Sequence, residues 1–211
     1  MILDWCVELC LSVYWRLWRF RVRFALWWRW WVKWMSKFWN FVLFQAGWFA
    51  CILGAAHQQT LWAVIGSLAY IVFHIWRSQT PKLELNLLLK VLSFGVLTDS
   101  ILMYLGFLDF KGAWPSPYVS PAWMWALWLL VASTLNSSLS WLNGKPVLGV
   151  VLGAICGPLS YEAGIQMGAA NWGSGSQILG LGLISAVWAL AVPLFFYWDR
   201  ARVKGVLVKN P

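Results

Sequence analysis

The sequence predicts an all-α fold: a polytopic membrane helix bundle with six transmembrane helices. Hydrophobic residues make up 61% of the 211 residues and charged residues only 11%, whereas soluble domains carry roughly a quarter charged residues. The apolar residues gather in six runs of about 20 residues, the length that a helix needs to cross a bilayer. Lys and Arg residues are concentrated between alternate runs, a distribution typical of multi-pass membrane proteins.

Residues 1–34 precede the first apolar run and interleave tryptophan with arginine. Indole rings at headgroup depth and cations against anionic lipid are typical of an interfacial helix. Arg16, Arg19 and Arg23 share one helical face, but the other cations of the segment lie away from it. The alternative is that translation starts at Met35, which would remove this extension from the protein.

The apolar runs define a transmembrane domain over 35–198, followed by a basic cytoplasmic tail over 199–211. The six predicted transmembrane helices cover 38–56, 60–76, 85–107, 122–142, 147–170 and 177–198. The first two form a helical hairpin because only three polar residues separate them. The segment 108–121 contains three prolines and a glycine, so it is predicted to be a loop outside the hydrocarbon.

The positive charges orient the bundle. Of the 16 Lys and Arg residues, all except Lys90 and Lys111 fall on the side of the amino terminus, and this bias persists when residues 1–34 are left out. The positive-inside rule then places both termini in the cytoplasm. Topology thereby accounts for the net charge of +9, and no nucleic-acid partner is predicted.

Two carboxylates lie within the predicted helices. Asp99 belongs to the third run and Glu162 to the fifth, each about eight residues, or roughly 12 Å, from the outer end. A carboxylate at bilayer depth costs about 2.5 to 3.5 kcal/mol on insertion scales, so each is a candidate functional group. At matching depth they would form a proton-sharing pair or a cation site. The alternative is that both are hydrogen-bonded structural groups near a wet outer vestibule.

Uncharged polar residues also fall within the apolar runs. In the fourth run, Ser133, Asn136, Ser137 and Ser140 follow the spacing of one helical face. Such a stripe either joins helices through hydrogen bonds or lines a polar path. Gln45 in the first run is a lone amide with the same two interpretations.

The fifth run combines a glycine repeat with a proline. Glycine at every fourth position lets a neighbouring helix approach closely, and the repeat resumes after the proline. Pro158 is predicted to break the helix and to free a backbone carbonyl one turn earlier, which then needs a new partner. Interrupted helices form ion and substrate sites in transporters, but they also occur as plain kinks. The glycines of the repeat are Gly149, Gly153, Gly157, Gly164 and Gly168.

No metal or cofactor site is predicted. His57 and His74 lie about 25 Å apart at opposite ends of the second helix, so they cannot share an ion within one chain. The four cysteines form neither a CxxC pair nor a disulfide framework, and Cys51 and Cys156 are predicted to be packing residues. Zinc-protease, phosphate-loop, serine-hydrolase and dinucleotide fingerprints do not occur in the sequence.

Three segments together resemble a family of small, uncharacterised proteobacterial inner-membrane proteins. They are NFVLFQAGWFACILGAA (Asn40–Ala56), STLNSSLSWL (Ser133–Leu142) and GPLSYEAG (Gly157–Gly164), and the resemblance extends over about 36–198. It implies a multi-pass protein of the bacterial inner membrane, and it gives no catalytic residue because the function of the family is unknown. Its genes are associated with those of cyclopropane-type fatty-acid modification enzymes, which favours lipid chemistry. Relatives begin just before the first of these segments, so the Trp-rich extension departs from the pattern.

Three functions are consistent with these features. The first is a lipid-associated accessory protein or small transporter, in which Asp99, Asn136 and Glu162 form a polar site beside the broken fifth helix. The second is a membrane-embedded enzyme that uses Asp99 or Glu162 as an acid or base, although no nucleophile or cofactor motif accompanies them. The third is a structural or assembly subunit. The expected partners are membrane lipids and a protein partner or further copies of the chain.

Overall fold

The computed structural model describes residues 36–112 and 114–209. The chain divides into two units, Met1–Trp39 and Asn40–Pro211, and the fold below is that of the second unit. The segment 1–34 lies outside the described residues, as does the alternative start at Met35.

Six helices and two short strands form the described part of the chain. The helices are α1 (Ser36–Ala56), α2 (Thr60–Arg77), α3 (Pro81–Tyr104), α4 (Ala122–Leu135), α5 (Pro146–Gln166) and α6 (Gln177–Lys209). The strands are β1 (Leu108–Phe110) and β2 (Ala170–Trp172). A single 3-10 turn, Ser140–Leu142, lies between α4 and α5.

Five of these helices are long and apolar enough to cross a membrane: α1, α2, α3, α5 and the part Gln177–Asp199 of α6. A mostly helical fold with apolar helices of spanning length is therefore confirmed, but the full length of the predicted fourth span is not. α4 has 14 residues, or about 21 Å of helix, which is shorter than the roughly 20 residues that cross the hydrocarbon core. α6 continues as a helix to Lys209, through most of the segment predicted as a tail.

α4 ends early where Asn40 of α1 binds its last turn and Ser138, which follows it. The Asn40 amide donates to the Tyr70 hydroxyl at 2.7 Å and to the Ser133 carbonyl at 3.2 Å. Its oxygen accepts hydrogen bonds from the Ser138 backbone and hydroxyl at 3.2 and 2.7 Å. Ser and Asn side chains offer backbone groups hydrogen bonds that compete with those of a helix. The predicted polar face is therefore wrong, since of its four residues only Ser133 lies in α4.

The most buried helix of the described bundle is α4. Most α4 residues are buried, and the helix packs against α2 and α3. In α5, by contrast, only glycines are buried: Gly149, Gly153, Gly157 and Gly164. The first three face Val192 and Trp188 of α6, and a Cβ at Gly153 would overlap the Trp188 carbonyl. Glycine at these positions therefore permits the close contact between α5 and α6.

α5 runs through Pro158 without interruption, so the predicted break is wrong. Proline removes one backbone hydrogen bond, the one to the carbonyl four residues earlier. That carbonyl belongs to Ala154, and it accepts a hydrogen bond from the Ser185 hydroxyl of α6 at 2.8 Å. The freed carbonyl is thus satisfied by a neighbouring helix, and the helix continues.

The two strands join the connections at one end of the bundle. β1 pairs antiparallel with β2, with Leu108 opposite Trp172 and Phe110 opposite Ala170. We call this the sheet end. The opposite end, where Arg77, Lys82 and Lys145 lie, is called the basic end. The sequence predicted β1 only as part of a loop, because the pairing joins residues that are 60 to 64 positions apart in the chain.

Candidate functional site

Asp99 is fully buried inside the bundle. Its side chain has 0% exposure, and it accepts hydrogen bonds from the Trp128 indole of α4 at 2.7 Å and from the Tyr161 hydroxyl of α5 at 2.5 Å. Gly95 lies one turn before Asp99, and a Cβ there would overlap the Trp128 ring. Trp128 in turn stacks on Trp188 of α6, with ring centroids 4.8 Å apart. One carboxylate thus links α3, α4 and α5.

Glu162 has different partners from Asp99. It accepts a hydrogen bond from Gln166, one turn later in α5, at 2.6 Å, and another from the Trp172 indole of β2 at 3.2 Å. The two carboxylates therefore belong to separate hydrogen-bonded groups. The residue of α5 that reaches Asp99 is Tyr161, the immediate neighbour of Glu162.

A groove of about 500 Å³ lies between α1, α4, α5 and α6. We call it the lateral groove. Its α4 residues Met124, Leu127 and Trp128 are buried, whereas Cys156 and Leu159 of α5 are exposed. The prediction that Cys156 is a packing residue is therefore wrong. The groove has the volume of a small-molecule pocket, and none of its lining residues is charged.

The few polar groups of the lateral groove differ in their hydrogen bonding. Ser160 accepts a hydrogen bond from the Trp48 indole at 3.2 Å, which bridges α5 and α1. Gln45 lines the groove and forms no side-chain hydrogen bond with any residue that the structure describes. The Trp188 indole nitrogen is buried near the Tyr161 hydroxyl without an acceptor at normal hydrogen-bond geometry within the described chain. Gln45 can therefore bond a ligand, whereas the Trp188 nitrogen is too deeply buried to reach one.

A second polar cluster lies toward the basic end. Glu84, 3% exposed, bonds His74 of α2 at 3.1 Å and the side chain of Asn136 at 3.2 Å. Asn136 was predicted to join the polar site of Asp99 and Glu162, but it binds Glu84 at the other end of α3. About 22 Å of helix separates Glu84 from Asp99, so the predicted polar residues do not form one site.

The remaining predicted residues are close to the sheet end of α5. Gly164 faces Ile52 of α1, and Gly168 follows α5 with a φ of 86°, a conformation that glycine adopts without strain. Within the ranges 36–112 and 114–209, no group of three or more His, Cys, Asp or Glu residues is arranged to hold a metal ion.

Sequence reasoning missed the two residues that give the clusters their geometry. Tyr161 was not predicted to be a site residue, because the carboxylate of its neighbour Glu162 was the stronger signal in the sequence. Glu84 was placed outside the third helix, although it and His74 flank the short turn between two consecutive helices. That turn, with Pro81 at the start of α3, could have indicated that Glu84 and His74 lie close together.

Comparison with known proteins gives one family match. The sequence profile of a family described as "Protein of unknown function (DUF2878)" matches residues 37–194. The chain belongs to this family. No curated protein and no solved structure shows significant similarity to the chain. The DUF2878 match covers all six helices at least in part, including both sides of the lateral groove and Asp99.

The site therefore combines an uncharged, laterally open groove with a rigid polar wall. Asp99 does not line the groove; it holds the Tyr161 hydroxyl and the Trp128 indole, which do. In this DUF2878 protein the arrangement can bind an apolar ligand beside the amide of Gln45.

Proposed function

We propose that this protein is a lipid-binding integral membrane protein that holds an acyl chain of a membrane lipid in the lateral groove. The main support for the proposal is a charge-free groove of about 500 Å³. It lies between α4 and three helices that are long and apolar enough to span a membrane, α1, α5 and α6. Such a protein would serve as an accessory factor that holds or presents a lipid.

The lining of the lateral groove favours an aliphatic occupant. Phe44, Leu127, Val131, Leu152 and Leu159 are typical of its walls, and burying apolar surface contributes about 25 cal/mol per Å². Within a membrane, lipid tails solvate such walls already, so selectivity must come from shape and from the polar groups. The lateral groove supplies both.

The polar groups of the lateral groove include one amide that the described residues leave unbonded. Gln45 carries an amide donor and acceptor, and the described residues do not use its hydrogen-bonding capacity. A polar group without water or protein partner in the bilayer core is costly, which favours a bound ligand that pairs with Gln45.

The geometry favours binding over acid–base catalysis. A general acid or base must reach within hydrogen-bond distance of the reacting group. Asp99 is fully buried behind Trp128 and Tyr161, so we assign it the role of positioning Tyr161. Glu162 bonds Gln166 and Trp172 and does not line the lateral groove.

For the cellular setting we propose the bacterial inner membrane, with both termini in the cytoplasm. The support is the concentration of Lys and Arg residues at the basic end and the positive-inside rule. The lateral groove would then open toward the bilayer rather than toward either aqueous side.

The proposal is tested by lipid retention. The full chain is purified in mild detergent and washed extensively with lipid-free detergent. The lipid that remains bound per protein molecule is then identified and quantified by mass spectrometry. Cys156→Trp places a bulky ring in the lateral groove, so we expect this variant to lose the retained lipid that the wild type keeps.

The matched control is Ile155→Trp, which introduces the same tryptophan one residue earlier. Ile155 is 54% exposed and does not line the lateral groove, so this variant should retain lipid as the wild type does. Equal retention by both tryptophan variants would show that the lipid is not held in the groove.

A further inference from the structure

A second groove lies between α3 and α6. Its volume is about 410 Å³, and its walls include Asn86, Lys90, Ser93, Phe94 and Trp198. We call it the α3–α6 groove. It shares no residue with the lateral groove.

Three polar residues of α3 point outward in this groove at the spacing of one helical face. Asn86, Lys90 and Ser93 are all exposed, and residues four and three apart are neighbours on a helix. None of the three forms a side-chain hydrogen bond or ion pair with another residue that the structure describes. Exposed hydrogen-bonding groups on a membrane-spanning helix are costly unless something outside the chain pairs with them.

Lys90 lies nine residues after the start of α3, about 14 Å along the helix from the basic end. Its flexible stem lets the ammonium group reach back toward that end while the methylene groups stay in apolar surroundings. The carboxylates nearest in sequence, Glu84 and Asp99, are buried and bonded elsewhere. Asp199 of α6, which is near Trp198, is buried and does not line the groove.

Trp198 forms the other wall and is held in place by aromatic packing. Its ring lies 5.8 Å from Phe195 and 6.5 Å from Phe94. Tryptophan is enriched at the boundary between hydrocarbon and headgroups. The groove therefore offers an ammonium group, an amide and a hydroxyl as donors beside an aromatic wall suited to headgroup depth.

We propose that the α3–α6 groove binds the phosphodiester group of an anionic phospholipid. The phosphate oxygens would accept hydrogen bonds from Lys90, Asn86 and Ser93, and the charge-assisted bond to Lys90 is the strongest of these. The negative charge of the lipid compensates the single cation, which a neutral amide or hydroxyl partner would not do. This site is separate from the lateral groove, so either assignment can fail without the other.

The test is native mass spectrometry of the full chain in mild detergent, titrated with phosphatidylglycerol or phosphatidylcholine of identical acyl chains. The wild type should bind the first phosphatidylglycerol more tightly than the first phosphatidylcholine. Lys90→Gln should weaken phosphatidylglycerol binding about fivefold, the effect of one lysine near a membrane surface. Phosphatidylcholine binding should be unchanged, and Lys90→Arg should keep the preference.

The matched control is Lys82→Gln, which removes the same charge from an exposed position of α3 outside the groove. Unchanged phosphatidylglycerol binding in Lys82→Gln supports a site at Lys90. An equal loss in both variants would show that the preference for phosphatidylglycerol reflects only the overall positive charge of the protein. Unaltered binding in Lys90→Gln would overturn the proposal. A wild-type dimer that Lys90→Gln converts to monomer would assign the groove to a second copy of the chain and also overturn it.

Discussion

Asp99 acts on the lateral groove through the residues it holds. Trp128 and Tyr161 donate hydrogen bonds to its two oxygens, and both line the groove. The carboxylate therefore fixes the shape and the polar wall of the groove without touching its contents. Gly95 makes this possible, since any side chain there would displace Trp128.

At the residue scale, Tyr161→Phe should destabilise the protein by about 1–3 kcal/mol, because it leaves a buried carboxylate oxygen without its donor. The same change in an Asp99→Asn background should cost less, since the charge is already gone. Reversible unfolding in mixed micelles, followed by circular dichroism, measures both values.

The control for this prediction is Tyr104→Phe. Tyr104 is 89% exposed, so its substitution should change the unfolding free energy by about 0.5 kcal/mol or less. Equal effects of the two phenylalanine substitutions would show that the bond from Tyr161 to Asp99 contributes nothing.

At the scale of elements, the contact between α5 and α6 explains how a proline is accommodated inside a membrane-spanning helix. Glycines on α5 bring α6 close, and this closeness lets Ser185 reach the Ala154 carbonyl that Pro158 leaves free. The proline therefore does not create a ligand site, and the polar group it exposes is used in helix packing.

Ser185→Ala should cost about 1 kcal/mol of unfolding free energy in the wild type, because the Ala154 carbonyl loses its partner. In a Pro158→Ala background the backbone N–H at position 158 can bond that carbonyl, so Ser185→Ala should cost clearly less. A thermal-unfolding series of the four proteins measures this coupling. If Ser185→Ala costs the same in both backgrounds, the hydroxyl does not replace the missing backbone bond.

At the scale of the whole molecule, the sequence predicted the helices well and their contacts poorly. Apolar runs of spanning length are a local property, so α1, α2, α3, α5 and α6 were recognised. The early end of α4 depends on Asn40, which is 93 residues from Ser133 in the chain. Such a contact follows from the arrangement of the bundle and leaves no pattern in either segment.

The candidate site shows the same limit. Asp99 was predicted as an intramembrane carboxylate and lies fully buried in α3, but depth along the helices could not tell Glu162 from its neighbour Tyr161. A rotation of about 100° separates consecutive helical residues. The lateral groove was not predicted, because a groove exists only between helices.

The orientation of the molecule is tested by cysteine accessibility in a variant that lacks the four native cysteines. Tyr118→Cys lies in the exposed connection at the sheet end, and Gln79→Cys in the exposed connection at the basic end. A membrane-impermeant maleimide applied to intact spheroplasts should label position 118, and it should label position 79 only after permeabilisation. The reverse pattern would contradict the orientation derived from the positive charges.

The central claim, that the lateral groove holds a lipid acyl chain, is tested most directly by photocrosslinking in native membranes. A phospholipid with a diazirine in its acyl chain is incorporated into the membrane, and the labelled peptides are identified by mass spectrometry. We predict that labels concentrate on the groove residues Phe44, Leu152 and Leu159, and that Cys156→Trp removes them while Ile155→Trp does not. Labels spread evenly over exposed residues such as Leu61, Trp76 and Leu190, with no effect of Cys156→Trp, would contradict it.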